Sequence, residues 1–281
     1  MFEQDVVRPG YILGYTLSLL ALSWAVTLLA YFGFIPLFSL AVFPFIPGLL
    51  ALLFLSLEGH PVEVHARPLL RPVTGSAIIF AIVYPFLLLG LAVLVALGTG
   101  FGHLSGGTGQ GILAWVLLAL SAFLTAIPAA LGQEYGYRGY LLPALTYWQG
   151  RVGGTIMVGI VWGLALAPAS YLAFSAQDPG FAWYLAIIGF LFTIAIAFAF
   201  SYGYYLSENI LPVVLMSILS FLAIPAFFSP SLHSPGAGSI PLIVVTWPSP
   251  LPLLLLVALA FVPVFIWLFS AMDGEVDGDT L

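Results

Sequence analysis

From Pro72 to Gln133 the chain runs 62 residues without a single Asp, Glu, Lys or Arg, and then places Glu134 and Arg138 four residues apart. A soluble domain carries about a quarter charged residues. This chain of 281 residues carries 6% and is 62% hydrophobic, with a mean hydropathy of +1.17. Its sixteen charged side chains cannot cover a water-facing surface of this size, so lipid must face most of it. The sequence therefore reads as an all-α polytopic membrane protein. An ionisable pair at membrane depth is expensive, and marks either a functional site or a structural anchor.

The same composition removes several function classes. With no Cys, the chain has no disulfides, iron–sulfur clusters, thiol catalysis or Cys-ligated zinc. The net charge of −6 says little about nucleic-acid or acidic partners, because six of the eleven acids lie in the two tails, and no nucleic-acid partner is expected. Met1 to Gly10 mixes acidic and basic residues and no A-x-A site follows, so the first segment does not read as a signal peptide.

Apolar runs near 20 residues read as membrane-crossing helices. Breaks at Gly33–Pro36, at the polar stretch Glu58–Gly75, at the Gly-rich loop 101–111 and at later loops give about eight transmembrane helices. They fall near 10–33, 36–57, 76–98, 112–145, 154–173, 181–206, 209–228 and 250–271. With eight spans, Arg8, Arg67, Arg71, Arg138 and Arg151, all the basic residues of the chain, share one side. That bias predicts a multi-pass protein with both termini cytoplasmic. Residues 1–281 form a single membrane domain. Residues 229–250 are expected to be an outer loop at the membrane surface, and 272–281 an acidic disordered tail.

The stretch Gln133-Glu-Tyr-Gly-Tyr-Arg-Gly-Tyr-Leu-Leu-Pro-Ala-Leu145 resembles the EExxxR-G-[YF]-L signature of the CPBP family. That family comprises intramembrane proteases, including the type II CAAX prenyl endopeptidases and bacteriocin-processing relatives. Downstream, Trp162-Gly-Leu-Ala-Leu-Ala-Pro168 is similar to the family's W-G-L-x-H-x-P, and Leu211-Pro-Val-Val-Leu-Met-Ser217 to its L-P-x-x-x-x-H. The resemblance covers a core of roughly 112–225 and implies a CAAX-protease-like (CPBP) bundle. It also implies loss of chemistry. The family's water-activating Glu falls on Gln133, its two histidines on Leu166 and Ser217, and its Asn on Phe221. Glu134 and Arg138 remain.

The residues alone lead the same way. A hydrolytic zinc site needs about three His, Asp, Glu or Cys ligands and an open position. His60, His65, His103 and His233 all fall in expected loops, in two pairs on opposite sides. No metal or other cofactor is expected. A Ser217 nucleophile would find no His or Lys base within the membrane. Tyr135, Tyr137, Tyr140, Tyr147 and Trp148 read as an interfacial belt. The Glu134–Arg138 pair reads first as a boundary ion pair, with Arg138 snorkelling to the headgroups.

The resulting expectation is a non-catalytic CPBP-like protein, a pseudoenzyme. It would serve as an accessory or scaffold subunit, or bind a membrane-protein partner or a hydrophobic or lipidated ligand. The alternatives are an intramembrane CAAX-type endopeptidase with relocated catalytic residues, and a small-solute transporter or channel.

Overall fold

The computed structural model describes residues 8–104, 124, 126–175, 178–230, 243–245 and 250–278. In chain order the helices are α1 (Pro9–Tyr31), α2 (Phe45–Leu57), α3 (Val62–Leu70), α4 (Gly75–Gly98), α5 (126–134), α6 (Leu142–Ser175), α7 (Pro179–Tyr205), α8 (Leu211–Phe227) and α9 (Leu251–Gly278). A π-helical segment, Tyr135–Leu141, joins α5 to α6 without a break.

Membrane solvation explains the helix faces. In α1 the buried residues are Ile12, Tyr15, Leu19, Ser23, Thr27 and Ala30, a single stripe at helical spacing. The opposite face shows Leu13, Leu17, Leu28 and Leu29, all exposed. A helix whose outer face is more apolar than its inner one suits lipid, not water. Among the described residues five helical stretches are long and apolar enough to cross a membrane. The chain is thus a helical bundle of the multi-pass integral-membrane kind.

The fold does not deliver eight separate transmembrane α-helices. Pro36 and Pro44 divide the second expected span into a 3-10 turn, Leu37–Val42, and the 13-residue α2. At about 1.5 Å per residue, α2 is too short to cross a core of roughly 30 Å alone. The polar stretch after it contains α3, so His65 is helical and not in a loop. The fourth span, expected to end near 145, instead runs on through Pro143 into α6. Pro143 has no N–H to return to Gly139 and its ring would crowd that carbonyl in an α-helix. The wider π turn before it accommodates both. The actual break is Gly150, at φ 71°, which divides a continuous helical run of 48 residues, Ala126–Ala173. Residues 112–123 of the expected fourth span lie outside the described residues.

Close helix packing uses small residues, as membrane bundles do. Gly159 and Gly163 on α6 bracket Trp162, and a Cβ on either would collide with α7 at Ile194, Thr193 or Phe190. Gly136 in the π segment meets the backbone of Pro47 on α2 with no room for a methyl group. Pro168 inside α6 cannot satisfy the carbonyl of Leu164, four residues back. Trp24 of α1 does so instead, its Nε1 donating at 2.9 Å.

The two ends of the bundle differ. At one end β1 (Gly102–Leu104), β2 (Phe228–Pro230) and β3 (Ile243–Val245) form a small sheet, β3 pairing antiparallel with β1 and parallel with β2. Parts of the expected outer loop 229–250 are therefore strand; 231–242 and 246–249 lie outside the described residues. At the other end Asn209 ties the α3–α4 linker to α8. Its Nδ2 donates to the carbonyls of Leu69 and Arg71, and its Oδ1 accepts from the Leu211 amide that opens α8. Glu208 beside it sits at φ 49°, an uncommon conformation for a residue with a side chain. The tail also departs from expectation: α9 continues to Gly278, so 272–278 are helical. Acidic residues at a helix C-terminus oppose the helix dipole, and the Asp273–Arg151 ion pair offsets this.

Candidate functional site

Three elements build the site around Glu134. The last residues of α5 carry Gln133 and Glu134, the π segment carries Tyr137 and Arg138, and α6 crosses behind them with Trp162. π segments inside α-helices concentrate at functional sites. α8 packs on α5 through Val214 and Ile218 against Ala130. This sets Ser217 beside the same carboxylate.

Both members of the pair are fully buried. Arg138 Nη1 lies 3.0 Å from Glu134 Oε2, and each side chain is 0% exposed. The expectation that Arg138 snorkels to the headgroups is therefore wrong. Its guanidinium is folded into the core, 4.5 Å from the Trp162 ring, 4.9 Å from Phe200 and 5.8 Å from Tyr137. None of its three nitrogens makes an aligned hydrogen bond among the described residues. Cation–π contact with the ring faces stands in for part of the lost hydration. On the other side, Gln133 Nε2 donates to Glu134 Oε1 at 3.2 Å. The aromatic belt is likewise split: Tyr135, Tyr137 and Tyr140 are buried, and Tyr147 and Trp148 are exposed.

The remaining positions fall on the helices facing this centre. Leu166 lies one turn beyond Trp162 on α6 and is half-buried against the main core. Phe221 lies one turn beyond Ser217 on α8; its side chain is outside the described residues. Gln133, Glu134, Arg138 and Ser217 thus come together around one carboxylate.

These residues do not fit a hydrolytic metal. The carboxylate is held by a guanidinium, and its other neighbours are an amide and a hydroxyl. Where the signature has a histidine, Leu166 offers no donor. Among the described residues no group of three or more His, Asp or Glu converges. His60 pairs with Glu58 at 3.3 Å, and His65 contacts the Pro61 carbonyl and Ser56. His103 is on β1 at the sheet end, and His233 is outside the described residues.

Residues 115–222 match the family described as Type II CAAX prenyl endopeptidase Rce1-like. The match covers α5, the π segment, α6, α7 and most of α8, which are the elements that enclose Glu134, and it leaves α1–α4 and α9 outside. No curated protein matches the chain. What fold, site and match define together is a membrane-embedded helical protein. Its central segment is related to the prenyl endopeptidases, and among the described residues it has no identifiable metal-binding cluster.

Sequence reading missed the G-x-x-x-G of Gly159–Gly163 that lets α7 and its Phe200 close over Arg138. The signal was present in the sequence. It also missed a second polar feature. Tyr140, Arg67, Arg71, Arg151 and Glu208 surround a cavity of about 210 Å³ at the Asn209 end of the bundle. Arg71 pairs there with Glu208, and Arg151 with Asp273.

Proposed function

We propose that this protein is a non-catalytic relative of the intramembrane prenyl endopeptidases, acting as a membrane-embedded binding or accessory subunit. Its partner on this reading is a membrane protein or a lipidated, hydrophobic ligand. The observation that carries the proposal is the closure of the polar centre. Glu134 is held by Arg138 and Gln133, and Trp162, Phe200 and Tyr137 pack around the guanidinium that pairs with it. General-base catalysis requires a base within hydrogen-bond reach of a reacting water, and a carboxylate neutralised by a buried guanidinium is a poor one. Gln133, Leu166, Ser217 and Phe221 are then relics of a site whose remaining pair now holds helices together.

The test uses the purified full chain in lipid nanodiscs, with a fluorogenic farnesylated peptide and metal analysis. The expected result is cleavage no faster than in protein-free nanodiscs and zinc well below one per chain. The same peptide carrying a photocrosslinker, or a partner retained through mild-detergent purification, should label the chain. Cleavage abolished by Glu134→Ala, or one zinc per chain, overturns the proposal.

A further inference from the structure

The geometry points to a second site, independent of the Glu134 centre: the arginine-rimmed cavity binds the phosphate of an anionic membrane lipid. Three of the five basic residues in the chain, Arg67, Arg71 and Arg151, line it, with one lining carboxylate, Glu208. The arginines arrive from two elements, α3 with its end and α6 just past the Gly150 kink, and Glu208 comes from the turn after α7. Such convergence has a structural cost in a chain with so few charges. Guanidinium groups present planar, forked donors that suit phosphate oxygens.

Three further observations indicate the ligand class. First, Tyr140 lines the cavity and is 2% exposed, and its hydroxyl has no hydrogen-bond partner among the described residues. A buried hydroxyl without a partner is costly, so the cavity wall at Tyr140 carries an unmet polar group. Second, the carboxylates now facing Arg71 and Arg151 are weakly committed. Glu208 is 38% and Asp273 61% exposed. Exposed pairs contribute little, so a phosphate can replace them without a large penalty. Third, size and setting favour a headgroup. Pockets for whole drug-sized ligands run roughly 300–1,000 Å³, and this one is about 210 Å³. It opens beside α3, a nine-residue helix with Val62 and Leu70 fully turned outwards at 78% and 76% exposure. A short helix with exposed apolar residues and arginines suits the headgroup layer. The acyl chains would then stay in the bilayer while the phosphate enters.

The full chain, reconstituted in equal phosphatidylcholine and phosphatidylglycerol and re-extracted in mild detergent, is analysed for co-purifying lipid by mass spectrometry. Phosphatidylglycerol should be enriched at least threefold over the input ratio. The enrichment should vanish in Arg71→Gln/Arg151→Gln, which removes charge. It should also vanish in Gly139→Leu, which fills the cavity without altering charge; a Cβ there meets Pro68 at an ordinary 3.5 Å. The two variants act by different means, so if one fails to fold the other decides. A parallel arm adds inorganic phosphate to protein in phosphatidylcholine alone. Thermal stabilisation there without phosphatidylglycerol enrichment assigns the cavity to a soluble phosphate and overturns the lipid assignment. Equal retention of both lipids by the unaltered chain, or enrichment that survives in either folded variant, overturns it as well.

Discussion

Arg138 and Arg151 are thirteen residues apart and experience opposite worlds. Arg138 is 0% exposed, held by one carboxylate and three aromatic rings. Arg151 is a quarter exposed, faces an open carboxylate on α9 and stacks on Tyr205 at 5.4 Å. Both make an ion pair, so counting ion pairs would rank them alike. Their desolvation separates them. The first pair is a structural commitment that cannot lose one member; the second is a rim contact that can open to a ligand.

The sharpest way to break this comparison is to remove Arg138 alone. Arg138→Leu leaves Glu134 buried without its counter-charge, and should cost about 3–5 kcal/mol in a denaturant titration in mixed micelles. The double change Glu134→Leu/Arg138→Leu should recover most of that loss, since a buried ion pair replaced by apolar groups is close to neutral. A single variant as stable as the parent would show that water reaches the centre.

A smaller effect is expected from the π segment that carries Arg138. Gly136→Val drives a branched side chain into Pro47 of α2. Overpacking of this kind costs about 1–3 kcal/mol, read as a lower thermal midpoint. Smaller again is Trp24→Phe, which keeps the ring but strands the Leu164 carbonyl. The loss should be about 1 kcal/mol, and faster hydrogen exchange around Pro168 would localise it. Smallest is Arg151→Gln, which should change stability by under about 1 kcal/mol, with that difference shrinking further in high salt. A large, salt-insensitive loss there would place Arg151 with Arg138 as a buried commitment.

Much of this was legible in the sequence for a physical reason. The uncharged run before Glu134 makes a membrane fold unavoidable, and the G-Y-R-G-Y-L-L-P signature places the pair beside α6 and α8. What was not legible depends on contacts distant in sequence. An i, i+4 Glu–Arg pair looks the same at a boundary and in a core; only the approach of α6 and α7, permitted by Gly159 and Gly163, seals it. Pro143 announces a break, yet a π turn absorbs it, and no local rule distinguishes the two outcomes. Acidic residues after Ala271 argue for disorder until Arg151, over a hundred positions earlier, supplies the counter-charge. The short α2 could have been anticipated, because Pro36 and Pro44 divide an otherwise continuous apolar run.

Asn209 carries a further consequence. It lies within the segment that matches the prenyl endopeptidases, but its amide clasps the carbonyls of Leu69 and Arg71, which lie outside it. The Ile210 amide next to it donates to Pro68 at 2.9 Å. The start of α8 is thus spliced to the wall of the arginine cavity, and the other end of this lever is Ser217, two turns along the same rigid helix. The segment that matches the family is therefore tied to α3, which lies outside the match, at the wall of a cavity that both segments line.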